Sequence, residues 1–275
     1  MIKDITRQSL NLILGSIMWL CSSLNLVFDG ARSPADMSDS NDSLLVPFGA
    51  AFSIWLPIFV LCFIYAVLQA LPRNRTEPVY RRLGWWTAAG FGGVCLWGII
   101  NAFAPMGSLW ALPLDWAQWG TAFVFVPTML LLVKAMLIAT AEKEKMTKFE
   151  QNTVWLGLSL IAGWCSIAVF LNWTPQVVSA LEGVGVKEVW TCFALVTFPI
   201  MGWTSFVARK SNGNGAYIFP IIWGAAFTVF SLITENNVDD YFLVTTPLAV
   251  LITLLGSSYF KKYDKPVSTK IFSKI

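Results

Sequence analysis

Histidine is absent from the chain, and its absence excludes more chemistry than any other feature of the composition. Without imidazole there is no Ser-His or Cys-His nucleophile, no His-ligated zinc or di-iron centre, and no haem with a histidine axial ligand. Charged residues are also scarce, at 13% of the chain, against about 25% in soluble domains. No nucleic-acid-binding signature is present.

Paired cysteine motifs are missing as well. All five cysteines fall within hydrophobic segments, and none has CxxC spacing; they are Cys21, Cys62, Cys95, Cys165 and Cys192. We therefore predict buried free thiols that pack as small apolar groups, in preference to a disulfide or a metal site.

Hydrophobic residues are abundant, at 56% of the chain, against about 45–50% in soluble domains. The mean hydropathy is +0.63, which predicts an all-α, polytopic membrane protein with a single membrane domain over residues 1–275. Apolar runs of about 20 residues, the length that crosses a bilayer, predict eight transmembrane helices. These are Gln8–Phe28, Gly49–Leu71, Leu83–Phe103, Trp116–Ala141, Thr153–Trp173, Glu188–Ala208, Gly215–Ile233 and Phe242–Phe260.

The basic residues are confined to alternate loops. The N-terminus, the second, fourth and sixth loops and the C-terminal tail hold 16 of the 19 Lys and Arg residues. The opposite loops hold only Arg32 and Lys187, and Lys134 lies inside a span. By the positive-inside rule both termini are predicted to be cytoplasmic, with an even number of spans.

Ionisable groups inside the spans are rare. The carboxylates all fall in loops or at span ends, so an intramembrane enzyme with an acid pair is not expected. Lys134 has two interpretations: its stem snorkels towards the headgroups, which we favour, or it faces a polar cavity.

The second span, Pro47–Gln69, combines an aromatic face with an internal proline. Phe52, Trp55 and Phe59 are three and four residues apart, so they share one side of a helix. Pro57 removes a backbone donor and is expected to bend that helix. The face has two interpretations, one wall of a ligand pocket or ordinary packing between helices.

Three short patterns occur on the second, third and fifth spans. The second span has Pro47 followed by Phe52, Trp55 and Phe59, the third has Ile100-Asn101, and the fifth has Trp164, Ala168 and Leu171-Asn172 within GWCSIAVFLN. The chain also contains 14 tryptophans, which are not confined to the span ends. These patterns resemble the tryptophan-rich sensory proteins related to the translocator protein (TspO/MBR).

Two positions depart from the family pattern. Phe59 stands where the family has tyrosine, and the tryptophan expected after Asn101 is missing, with Trp97 preceding it instead. The family has five helices, so the resemblance covers residues 8–173. Residues 188–260 would then form three additional helices, and residues 261–275 a basic cytoplasmic tail.

The resemblance implies a membrane binding or sensory protein for hydrophobic planar ligands, tetrapyrrole or sterol-like, and leaves open whether it also transports them. The ligand-binding residues that it implies are Phe52, Trp55, Phe59, Trp97, Asn101, Trp164 and Asn172. No tightly bound cofactor is predicted. A porphyrin or haem would be a ligand held without histidine ligation.

A secondary transporter of a small solute is the alternative function. An even span count and prolines inside the spans favour two four-helix halves. Internal similarity between Gln8–Ala141 and Thr153–Phe260, which such halves would show, is not evident.

The expected partners follow from the membrane location. They are membrane lipids and a hydrophobic small molecule, with a homodimer left open and no nucleic acid. The expected location is a multi-pass position in a bacterial inner membrane or a eukaryotic membrane.

Overall fold

The structure is a computed structural model, and it describes residues 2–34, 36, 45–103, 114–182, 185 and 198–234. Every regular element among these residues is helical, which confirms the all-α prediction. The helices of 13 residues or more are α1 (Ile2–Cys21), α2 (Trp55–Ala70), α3 (Pro78–Phe103), α4 (Leu114–Glu142), α5 (Leu156–Glu182), α6 (Phe198–Lys210) and α7 (Gly215–Thr234).

Five helical segments of the described residues are long and apolar enough to cross a membrane. They are Gly49–Ala70, Pro78–Phe103, Trp119–Lys145, Lys148–Val178 and Gly215–Thr234. The chain is therefore a multi-pass membrane protein. The predicted eighth span, Phe242–Phe260, and the basic tail, 261–275, lie outside the described residues, as does the first half of the sixth span.

The first helix differs from its predicted bounds of Gln8–Phe28. It begins earlier, at Ile2, and ends at Cys21, before a short 3₁₀ turn over Leu24–Leu26. Serine and asparagine compete for backbone hydrogen bonds, and Ser22, Ser23 and Asn25 follow the helix directly. These residues explain why the helix stops short.

The first five helices form a closed ring. α1 packs against α2 and α3, α3 against α4, α4 against α5, and α5 returns to α2. α7 lies outside this ring, against α5 and the 3₁₀ segment Gly49–Ile54, and α6 contacts α5 and α7.

The exterior of the bundle is apolar while part of its interior is polar. Large apolar side chains are exposed on α2, α4 and α7, including Leu56 at 71%, Phe123 at 59% and Ile233 at 62%. A soluble protein would bury most such side chains away from water, whereas in a membrane they are in contact with lipid.

Polar residues of α1 point inward and hold the ring together. Arg7 is 1% exposed, and its guanidinium donates to the carbonyl oxygens of Tyr80 (2.9 Å) and Arg75 (2.8 Å). Its charge also lies 3.7 Å from the Asp4 carboxylate. Unpaired charge is costly in an apolar interior, and here the two carbonyls and the carboxylate offset that cost.

A second set of buried hydrogen bonds crosses the ring, one helical turn further along α1 than Arg7. Asn11 donates to the carbonyl of Gly84 at 2.6 Å and accepts from the Thr87 hydroxyl at 2.6 Å. The Tyr65 hydroxyl lies 2.8 Å from that of Thr87. These bonds fix α1, α2 and α3 against one another.

The helical segment Lys148–Val178, which contains most of α5, has a capped start. The Thr147 hydroxyl accepts from the Glu150 N–H at 3.2 Å, and the Glu150 carboxylate accepts from the Thr147 N–H at 2.9 Å. This reciprocal capping box satisfies two donors that a helix start leaves without partners. A turn at Lys148–Glu150 and a π-helical segment at Gln151–Trp155 then lead into α5.

Pro57 shapes the start of the second span instead of kinking its middle. The chain is 3₁₀-helical over Gly49–Ile54 and α-helical from Trp55, so Pro57 lies in the first α-helical turn. Proline has no N–H, and its ring crowds the carbonyl four residues earlier, which disfavours α-helix upstream. The tighter 3₁₀ turns replace it there.

Gly98 lets α1 approach α3 closely near the end of α1. A Cβ at this position would lie 2.6 Å from the carbonyl oxygen of Cys21, which is backbone and cannot move aside alone. Small residues at such crossings allow helix backbones to meet. Gly98 therefore sets the position of the α1 end, which carries Trp19.

We predict that Gly98→Ala lowers the stability of the protein by about 1–3 kcal/mol, because an added methyl group overpacks the crossing. Gly202→Ala is the matched control, since a Cβ there meets nothing within 4 Å. Thermal unfolding in detergent, followed with a thiol-reactive dye on the buried cysteines, measures both variants. Equal midpoints for the two variants would contradict the close crossing.

Candidate functional site

Five aromatic side chains from three helical segments meet inside the ring, and we call them the aromatic cluster. They are Phe52, Trp55, Phe59, Trp97 and Trp164. Trp55 is central, because its ring lies 5.0 Å from Phe59, 5.8 Å from Trp97 and 6.1 Å from Trp164. The aromatic residues of the second span thus lie against Trp164 of the fifth-span motif.

The contacts in the cluster have distinct geometries. Trp55 and Phe59 are stacked at 15°, one helical turn apart on α2. Trp164 meets both Trp55 and Phe52 edge-on, at 82° and 84°. Offset stacks and edge contacts are the favourable arrangements of aromatic rings, so the cluster is well packed.

Trp97 is joined to the cluster by a hydrogen bond as well as by its ring. Its indole N–H donates to the side-chain oxygen of Asn172 at 3.2 Å, and the Asn172 amide donates to the Ala168 carbonyl at 2.8 Å. Asn172 therefore orients Trp97 from α5. Asn101 is buried one turn after Trp97. In the described part of the chain, it does not take part in the ring contacts and hydrogen bonds that join the other six predicted residues.

The indole N–H groups of Trp55 and Trp164 have no hydrogen-bond partner among the described residues, although both are buried. Trp55 is 6% exposed and Trp164 is 1% exposed. Leaving a buried donor unsatisfied costs about 1–3 kcal/mol. Both tryptophans therefore carry a donor for which the described residues supply no acceptor.

Over the residues that the structure describes, three other buried polar atoms share this property: Arg7 Nε, Ser22 Oγ and Ser205 Oγ. Arg7 differs from the tryptophans because its other guanidinium nitrogens are bonded. The two serines lie apart from the aromatic cluster on the chain. An indole has one donor only, so neither of these two side chains makes a hydrogen bond within the described part of the chain.

A groove of about 490 Å³ opens beside the cluster on the outer surface of the ring. Trp55 and Phe59 form its floor together with three further α2 residues, and Trp19 and Ser23 form the other wall. The remaining lining residues are Leu56, Val60 and Phe63. Ligand pockets are typically about 300–1,000 Å³ and mostly apolar, so the groove has the size and character of a binding site for a small apolar molecule.

The groove includes residues that sequence reasoning missed. Leu56, Val60 and Phe63 continue the helical face of Trp55 and Phe59 at spacings of four, so the periodicity of α2 could have identified them. Trp19 belongs to α1 and reaches the groove only through the crossing of α1 with α3. Lys134 lies elsewhere, exposed on α4, where its stem can extend along the lipid-facing surface.

The comparisons with known proteins agree with this architecture. Residues 8–260 match the family described as TSPO-like protein, so the match spans the ring and also the predicted spans that follow it. No curated protein and no solved structure matches the chain. The family match covers most of the sequence, and the chain belongs to the TSPO-like protein family.

Proposed function

We propose that the protein binds a hydrophobic planar ligand that carries a hydrogen-bond acceptor, at the groove and the aromatic cluster beside it. Membership of the TSPO-like family suggests a membrane binding, sensory or transport role. A tetrapyrrole is the ligand class that we favour, and a sterol-like molecule is the alternative.

The single observation that supports this proposal is the pair of unsatisfied indole donors. Trp55 and Trp164 are in ring contact, and neither N–H has an acceptor in the part of the chain that the structure describes. A carboxylate or carbonyl oxygen that enters the cluster would accept from them. A hydrogen bond with a charged group contributes about 1.5–3 kcal/mol, which is enough to select ligands with such an oxygen.

The groove supplies the apolar part of the binding energy. Its lining is dominated by aromatic and aliphatic side chains, and Trp55 belongs to both the groove and the cluster. A flat macrocycle would stack on aromatic faces, and its acceptor would enter the cluster past Trp55, the tryptophan of the pair that lines the groove. Iron in a bound haem would have no histidine ligand, because the chain has none.

The groove also favours a route from the lipid phase. Leu56 is 71% exposed and Trp19 is 50% exposed on its rim, both on the apolar exterior of the ring. A ligand dissolved in the membrane can reach the groove without crossing water. This route suits apolar planar molecules, which partition into bilayers.

The topology that we propose has eight spans and both termini on the cytoplasmic side. Its support is the alternation of basic loops, with 16 of 19 Lys and Arg residues on one side. In this topology the second span begins at its outer end, so Phe52, Trp55 and the groove lie in the outer half of the membrane.

The first prediction from the proposed function concerns the indole donors. We expect Trp55→Phe and Trp164→Phe each to weaken binding of protoporphyrin IX about ten-fold, the equivalent of about 1.4 kcal/mol, because each removes one donor and keeps an aromatic ring. Etioporphyrin, which has a similar macrocycle without carboxylates, should bind equally to the wild type and both variants. Quenching of tryptophan fluorescence in detergent measures the affinities.

Trp173→Phe is the control for this experiment, because its indole donates to the Ala122 carbonyl away from the cluster. Its affinity for protoporphyrin IX should equal that of the wild type. Parallel losses for both porphyrins, or a loss in Trp173→Phe of the same size, would argue against a donor role for Trp55 and Trp164.

The second prediction concerns topology. In intact cells, a membrane-impermeant maleimide should label Ser43→Cys, in a predicted outer loop, and should label Ser273→Cys, in the tail, only after the membrane is permeabilised. The wild type, whose cysteines all lie in hydrophobic segments, is the background control. Labelling of Ser273→Cys in intact cells would refute the proposed orientation.

A further inference from the structure

α7 supports the segment that leads into the second span, although it lies outside the five-helix ring. The Trp223 indole N–H donates to the carbonyl oxygen of Ala51 at 2.9 Å. The Phe48 backbone N–H donates to the carbonyl oxygen of Phe227 at 3.2 Å. The Phe48 ring also contacts Phe227 and Phe230, at 6.5 and 5.1 Å.

The segment Gly49–Ile54 needs support from outside because of its local geometry. It is 3₁₀-helical, and 3₁₀ hydrogen bonds are poorer than those of an α-helix. Pro57 contributes no N–H to the turn that follows. Ala51 lies in the middle of the segment and is fully buried, so a bond to its carbonyl fixes the segment at its centre.

The same segment carries part of the binding site. Phe52 follows Ala51 directly and meets Trp164 edge-on at 5.9 Å, and Trp55 begins α2 three residues later. α7 also lies against Trp164 itself, since a Cβ on Gly224 would be 3.4 Å from its ring. α7 therefore borders the aromatic cluster from two directions.

We propose that Trp223 is a positioning residue for the ligand site, acting through its hydrogen bond to Ala51. The bond holds the 3₁₀ segment so that Phe52 and Trp55 keep their places beside Trp164. This inference rests on the proposed function, and it assigns a role in that function to a helix that lies beyond the five-helix ring. The ring of Trp223 contacts Phe219 and Phe227 on α7, and its N–H donates to the segment.

Two substitutions separate the donor from the ring. Trp223→Phe keeps an aromatic ring and removes the N–H. Trp223→Gln removes the ring but keeps an N–H donor the same number of bonds from Cβ as the indole nitrogen. If Trp223 acts by ordinary packing, the Phe variant should stay closer to the wild type in exchange and affinity. If it acts through the hydrogen bond, the Gln variant should stay closer.

The experiment measures hydrogen–deuterium exchange of Gly49–Ile54 and affinity for protoporphyrin IX in the same detergent-solubilised variants. We expect Trp223→Phe to speed exchange in the segment and to weaken binding about five-fold. A five-fold change in affinity corresponds to the loss of about one net hydrogen bond. Trp223→Gln should lie closer to the wild type in both measurements. Trp203→Phe is the control, because its indole donates to Ser166 away from the segment, and it should change neither.

Wild-type exchange and affinity in Trp223→Phe would overturn the proposal, as would faster exchange with unchanged affinity or a larger loss in Trp223→Gln. If Trp223→Phe does not fold, Trp223→Gln is measured alone. Exchange and affinity close to those of the wild type would support the proposal, and loss of both would overturn it. Absence of saturable quenching in the wild type would instead refute the proposed function, and the exchange data would still show whether Trp223 holds the segment.

Discussion

The proposed binding site depends on one physical constraint, the cost of a buried hydrogen-bond donor without an acceptor. Trp55 and Trp164 bear that cost at the centre of the five-helix ring. Neighbouring polar groups avoid it: Trp97 is bonded to Asn172, and Asn11, Thr87 and Tyr65 are bonded to one another. Two of the five unsatisfied buried polar atoms in the described part of the chain therefore lie together in the aromatic cluster.

The rest of the fold brings these two indoles into contact and opens a groove beside them. Buried hydrogen bonds of Arg7 and Asn11 tie α1 to the ring, and Gly98 permits the close crossing that brings Trp19 towards α2. Pro57 gives the second span its 3₁₀ start, and α7 braces that start through Ala51. A binding site at the lipid-facing side of the ring depends on all of these contacts together.

Sequence reasoning predicted the elements of the site better than their connections. The spacing of Phe52, Trp55 and Phe59 predicted a shared face because helical periodicity is local, and the motif around Trp164 indicated the facing helix. The bond from Trp97 to Asn172 and the wall formed by Trp19 depend on how helices cross, which periodicity does not encode. The Trp223 contact joins residues 172 positions apart, beyond the reach of any local pattern.

We propose that a bound ligand supplies the acceptor that the indoles of Trp55 and Trp164 lack among the described residues. Nuclear magnetic resonance of protein labelled with ¹⁵N at the indole nitrogens tests this most directly, with the two signals assigned from Trp55→Phe and Trp164→Phe. On addition of protoporphyrin IX, the account predicts that both indole protons shift downfield as they form hydrogen bonds. Saturable binding that leaves both signals unmoved would contradict it.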